Sequence, residues 1–260
     1  MHHSLALTMR SYLLLLTSIL GTGLAFSLQV DTVQVINPSP LNHRATVVFL
    51  HGFRGNSIGE LSVLQSFGFE VGPDVRLIAI QARETEQNQE PAWFPFKLNP
   101  WDGGFGDIAE RSILQTSTAL VIHHLSEEVD KLEGRWDRIF LVGLSQGGMM
   151  SSWLGLMSGK PFGGVVNFFG CFPLLNINTV VSAHVPVVHY HDPLDSIVPW
   201  RFAEGGHLAA ALAGADMYEP PHEMTSLKDT HHGLARDAVK KVNAWIATRI
   251  EPSNTYVEVV

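Results

Sequence analysis

The chain of 260 residues has a single cysteine, Cys171, so no internal disulfide can form. Basic residues are scarce: 17 Lys and Arg stand against 25 Asp and Glu, a formal charge of −8. No basic stripe runs along the chain, which excludes nucleic acid as the expected partner. Neither G-K-[ST] nor G-x-G-x-x-G occurs, so the usual phosphate-cradling loops are missing. H-E-x-x-H is missing too. His189-x-His191, with Asp192 and Asp195 nearby, comes nearest to a ligand cluster, but nothing pairs with it at zinc spacing. No metal and no cofactor is expected. There is no N-x-[ST] sequon and no internal repeat.

Long apolar runs are also lacking. Tyr12 to Phe26 is too short for a comfortable membrane span. Arg10 precedes it, and no acid occurs before Asp31. A basic flank, an apolar core and small residues at Gly23 and Ala25 form the pattern of a secretory leader cleaved before Phe26. A mitochondrial presequence would carry more arginines. The expected organisation is a signal peptide over 1–25, one domain over 26–250 and a tail over 251–260. The expected destination is the secretory pathway or the medium, with no stable membrane insertion of the mature chain.

What remains suits one α/β domain with a large core: 45% of residues are hydrophobic. Short apolar runs over Thr46–Leu50, Val75–Ile80, Arg138–Val142, Gly163–Phe169 and Val185–Tyr190 read as buried strands. Leu28–Ile36 reads as an edge strand, and Ala215–Tyr218 as a short late one. Helical patterns fall between them, near Ile58–Phe67, Ile108–Leu132, Met149–Leu156 and Phe202–Leu212, with a last one over Leu234–Ile250. Strands alternating with helices predict a mostly parallel sheet with helices on both faces.

Gly143-Leu144-Ser145-Gln146-Gly147 lies between a predicted strand and a predicted helix. G-x-S-x-G in that setting is the nucleophile elbow of an α/β-hydrolase. A serine hydroxyl is a weak nucleophile until it is held at an exposed turn beside a base. A small-residue turn without chemistry is the plainer alternative. Cys171 lies outside any elbow and reads as a core residue.

An elbow predicts an acid and then a histidine further along the chain. Asp192 and Asp195 both follow the strand that ends at Tyr190, and at least one is a turn-former beside proline. His231 and His232 precede the last helix, and one of them is the candidate base. The first buried strand ends in His51-Gly52-Phe53. The backbone N–H groups of Phe53 and of Gln146, the residue after the serine, are the expected oxyanion donors. The long loop 81–107 carries Trp93, Phe94, Phe96, Trp101 and Phe105. These aromatics could wall an acyl pocket or pin the loop to the core.

From about Ala45 to Ile250 the chain resembles the phospholipase/carboxylesterase family, which includes acyl-protein thioesterases and lysophospholipases. The likeness rests on V-V-F-L-H-G-F, on A-W-F at 92–94, and on L-V-G-L-S-Q-G-G. It continues in F-F-G-C-F-P-L at 168–174, in H-D-P-L-D-S-I-V-P and in the late histidine. The resemblance implies an α/β-hydrolase fold, Ser145 as nucleophile, Asp195 as acid and His232 as base. It places Trp93 and Phe94 beside the substrate. The chain departs from the family pattern at Asp192, where glycine is usual, and at Ser196, where proline is usual. The expected activity is hydrolysis of carboxylic esters or thioesters of small-molecule or lipid acyl substrates. A lipase or peptidase of the same fold, and a non-catalytic binding protein that kept the fold, are the alternatives.

Overall fold

The computed structural model describes residues 33–35, 42–83, 90–94, 111–172, 181, 184–214, 217–218 and 232–250, with backbone alone at 33–35, 111–113, 209 and 217–218. The predicted leader, Phe96, Trp101, Phe105, Pro173, Leu174, His231 and the tail 251–260 lie outside the described residues.

Among the described residues, seven strands form one sheet. They are β1 (Val33–Val35), β2 (Ala45–Leu50), β3 (Val75–Ile80), β4 (Ile139–Leu144), β5 (Gly164–Phe168), β6 (Val187–Tyr190) and β7 (Met217–Tyr218). Their order is β1-β3-β2-β4-β5-β6-β7. All neighbours pair in parallel except β1, which runs antiparallel against β3 with Val33 opposite Ile80. The helices are α1 (Ser57–Ser66), α2 (Arg111–Lys131), α3 (Gln146–Met157), α4 (Trp200–Leu212) and α5 (Arg236–Ile250).

The alternation of side chains along each strand sorts the core into two halves. Val48 and Leu50 of β2 join Ile78, Ile80, Leu141, Val165 and Val187 beneath α2, α3 and α4. Ala45, Val47 and Phe49 join Leu77, Val142, Val166 and Val188 beneath α1 and α5. Both faces are covered, so the central strands are apolar on both sides, as parallel sheets require. The chain steps one way from β2 to β3 through α1, then the other way from β3 to β4 through α2. Right-handed crossovers in opposite directions put the two helices on opposite faces. The order therefore reverses between β2 and β4. A crevice opens at such a reversal, outside the carboxyl ends of the strands. His51 follows β2 there, and Ser145 follows β4.

The candidate active site

Ser145 is the turn between β4 and α3. Its backbone has φ 51° and ψ −117°. A non-glycine residue holds positive φ only where its surroundings force it, at a cost of about 1–3 kcal/mol. The Ser145 N–H donates to Phe168 O at 2.8 Å, and its carbonyl accepts from Met149 N–H at 3.0 Å. The flanking glycines are dictated by contact. A Cβ on Gly143 would lie 2.2 Å from the Gly147 carbonyl carbon. A Cβ on Gly147 would lie 2.0 Å from Leu50 O and 2.5 Å from His51 O. The elbow thus presses its backbone against the end of β2, and only glycine fits.

His232 stands just before α5. Its Nε2 lies 3.0 Å from Ser145 Oγ, and its Nδ1 lies 2.6 Å from Asp195 Oδ2. The Phe169 ring meets the imidazole edge-on, 4.6 Å between centroids. Asp195 is held from its other side: Oδ1 accepts the N–H groups of Ile197 and Val198, each at 2.8 Å. Its side chain has no exposed surface. A buried carboxylate with three hydrogen bonds is fixed in position.

The two acids separate cleanly. Asp192 Oδ1 accepts Leu194 N–H at 2.8 Å, an Asx turn, and its carbonyl accepts Asp195 N–H at 3.0 Å. Asp192 shapes the turn that presents Asp195. Of the histidine pair, His232 reaches the serine, and His231 lies outside the described residues.

Two further histidines brace the site. His51 Nδ1 donates to Gly52 O at 2.7 Å, while its Nε2 accepts from Ala82 N–H at 2.9 Å and from Gln81 Nε2 at 3.0 Å. Burial pushes its pKa down to about 4, so the ring is neutral and structural. His191 is buried with Nε2 2.7 Å from Val198 O and 3.5 Å from Asp195 Oδ2. Burial is also the main influence on His191 and lowers its pKa. Cys171 is fully buried, and burial raises its thiol well above the usual range, which suits the core role expected of it.

Gln146 opens α3, so its backbone N–H has no acceptor within the helix. Its side chain has a second task that the sequence did not suggest. Oε1 accepts Trp93 N–H at 3.0 Å, and Nε2 donates to Phe94 O at 2.7 Å. The A-W-F segment thus meets the elbow through its backbone. The Trp93 side chain is 1% exposed, donates Nε1–H to His51 O at 2.7 Å and packs in the core with Phe94. Of the two roles the sequence left open for these aromatics, this burial matches the pin. Phe53 sits in the loop after β2, partly buried, with the Arg54 guanidinium over its ring.

Among the described residues, no group of three or more His, Cys, Asp or Glu could hold a metal ion. Among the same residues, no helix is long and apolar enough to cross a membrane.

The profile of the Phospholipase/Carboxylesterase family matches residues 31–250. Acyl-protein thioesterase 1 of Gibberella zeae is 26% identical over 240 residues, which cover 85% of this chain and 97% of that protein. Acyl-protein thioesterase 1 of Cryptococcus neoformans var. neoformans serotype D is 31% identical over 172 residues, 62% of this chain and 71% of the relative. Among solved structures, a carboxylesterase of Bacillus cereus superposes with a TM-score of 0.64 at 17% identity, covering 85% of this chain and 95% of the other. That likeness shows the shared α/β-hydrolase fold. The chain belongs to the phospholipase/carboxylesterase family and is a hydrolase.

Proposed function

We propose that the protein cleaves carboxylic ester or thioester bonds of acyl substrates through Ser145, His232 and Asp195. The observation that carries this reading is the continuous chain of contacts Ser145 Oγ–His232 Nε2–His232 Nδ1–Asp195 Oδ2, at 3.0 and 2.6 Å. Neutral His232 accepts the hydroxyl proton as Ser145 Oγ bonds to the substrate carbonyl carbon. Asp195 holds the ring with Nδ1–H toward itself, so that Nε2 is the free base, and then stabilises the imidazolium. The backbone N–H groups of Phe53 and Gln146 receive the oxyanion. The carbon–oxygen or carbon–sulfur bond breaks, and the imidazolium gives its proton to the leaving alcohol or thiol. Water enters by the same steps in reverse and frees the acid and Ser145. The serine proton departs with the alcohol or thiol, a proton from water replaces it, and no electron acceptor is needed.

Acyl-protein thioesterase is the name the similar proteins of Gibberella zeae and Schizosaccharomyces pombe carry, and it favours acyl chains as substrates here. A panel of p-nitrophenyl esters and acyl thioesters, run on the parent and on Ser145→Ala, tests the reading. The variant should fold and lose activity by about 10³-fold or more. A folded Ser145→Ala protein with near-parental turnover would end it.

A further inference from the structure

Glu60, in the first turn of α1, turns its carboxylate back toward the loop after β2. Its Oε2 accepts the Gly52 N–H at 2.7 Å. The fit around it is close. A Cβ on Gly55 would lie 2.1 Å from Glu60 Oε1 and 2.8 Å from His51 Nδ1. A Cβ on Gly52 would lie 3.4 Å from both Glu60 oxygens and from Leu144 O, the carbonyl just before the nucleophile. The carboxylate occupies the space those two missing side chains leave, between the loop and the elbow.

We propose that Glu60 is a positioning residue of the hydrolytic site, whose carboxylate anchors the Gly52 amide and so fixes the loop that presents the Phe53 N–H to the reacting carbonyl. The inference rests on the hydrolytic reading above. The remainder of the loop is already tied down. Ser57 N–H donates to Gln81 Oε1 at 2.8 Å, Gln81 Nε2 donates to Gly55 O at 3.2 Å, and His51 is fixed at both ring nitrogens. Gly52 is the point between these ties, and Glu60 is its partner. An oxyanion donor must sit within a few tenths of an ångström of its target, and losing one outright costs about 10²–10³ in kcat. Loosening one costs less.

Burial pushes the Glu60 pKa up, opposed by the Gly52 bond and by attraction to His232. The groups facing His232 are Asp195 beyond β6, Glu60 on α1 and His191 at the end of β6. His51, beside Glu60, is neutral above about pH 4.

Three variants separate anchoring from bulk packing. Glu60→Gln keeps an acceptor for Gly52. Glu60→Ala removes it, and Glu60→Asp keeps the charge but is a methylene too short to reach. With p-nitrophenyl butyrate, kcat should fall about tenfold in the Ala and Asp variants with KM within about threefold of the parent. Glu60→Gln should restore plateau kcat to within about twofold. Amide hydrogen exchange over residues 52–55 should quicken in Ala and Asp and stay slow in Gln. If the Ala variant fails to fold, the Asp and Gln pair carries the same contrast. Parental kcat in Glu60→Asp, or unchanged exchange over 52–55, overturns the inference. Failure of the hydrolytic reading looks different: the parent itself would then not react with a fluorophosphonate at Ser145.

Discussion

Asp195→Asn is the substitution whose consequence the geometry defines most closely. The Asn Oδ1 can keep both backbone bonds now made to Ile197 and Val198 N–H. That leaves the amide nitrogen facing His232 Nδ1 across the present 2.6 Å contact. An amide nitrogen can only donate. The imidazole must then offer Nδ1 as acceptor and carry its proton on Nε2, the atom beside Ser145 Oγ. In that tautomer it cannot take the serine proton. A loss of about 10⁴ in kcat is expected, equal to about 5.5 kcal/mol of barrier, with the fold intact. Asp192→Asn keeps its Oδ1 acceptor for Leu194 N–H and touches neither His232 nor Ser145, so it should stay within about threefold of the parent. Initial rates on p-nitrophenyl butyrate, with circular dichroism and melting curves alongside, make the comparison. Asp195→Asn within tenfold of the parent, or Asp192→Asn the more damaged, would refute the assignment.

Acid should destabilise the fold earlier than carboxylate protonation alone would explain. His51 and His189 are buried, and burial lowers their pKa values to about 4 and about 3. The unfolded chain binds these protons first, so stability is lost as pH falls from about 6.5 toward those values, roughly 2 kcal/mol per histidine by pH 5. Urea midpoints at pH 7.5 and 5 test this; His189→Gln should remove about half the difference, and equal midpoints in the parent would contradict it. Trp93→Ala should cost about 3–5 kcal/mol of stability and slow acetate, butyrate and octanoate esters alike. A selective loss on the long esters without destabilisation would assign Trp93 to the acyl pocket instead. We propose that the leader directs secretion: expression in a eukaryotic secretory host should yield a mature N-terminus near Phe26 in the medium, and a chain retained in the cytosol with its N-terminus intact would contradict it.

The sheet was legible because its strands are apolar on both faces, and such runs stand out whatever follows them. Boundaries moved by a few residues. The helix expected from Met149 begins at Gln146, because the elbow itself serves as the turn into it. The strand expected over Ala215–Tyr218 is described only at Met217–Tyr218. The serine was legible because the glycines around it answer to backbone contacts, Gly143 with Gly147 and Gly147 with the end of β2, that no other residue satisfies. The choice between Asp192 and Asp195 could not be made from local spacing. Both follow the same strand, and only the turn shows that one shapes the loop the other uses. The role of Trp93 was open for a similar reason: an aromatic beside a site and an aromatic under it have the same sequence signature. Glu60 carried no signal at all. An acid in the first turn of a helix is ordinary, and its meaning comes from the glycines at 52 and 55, which leave room for its carboxylate.

The central claim is that Ser145 is a nucleophile made reactive by His232. The measurement that tests it most directly is covalent labelling by a fluorophosphonate, with the adduct mapped by peptide mass spectrometry. The account predicts one adduct, on Ser145, formed at the rate at which esterase activity is lost and abolished in His232→Ala. Modification at another residue with activity lost in step, or an active enzyme whose Ser145 stays unmodified, would contradict it.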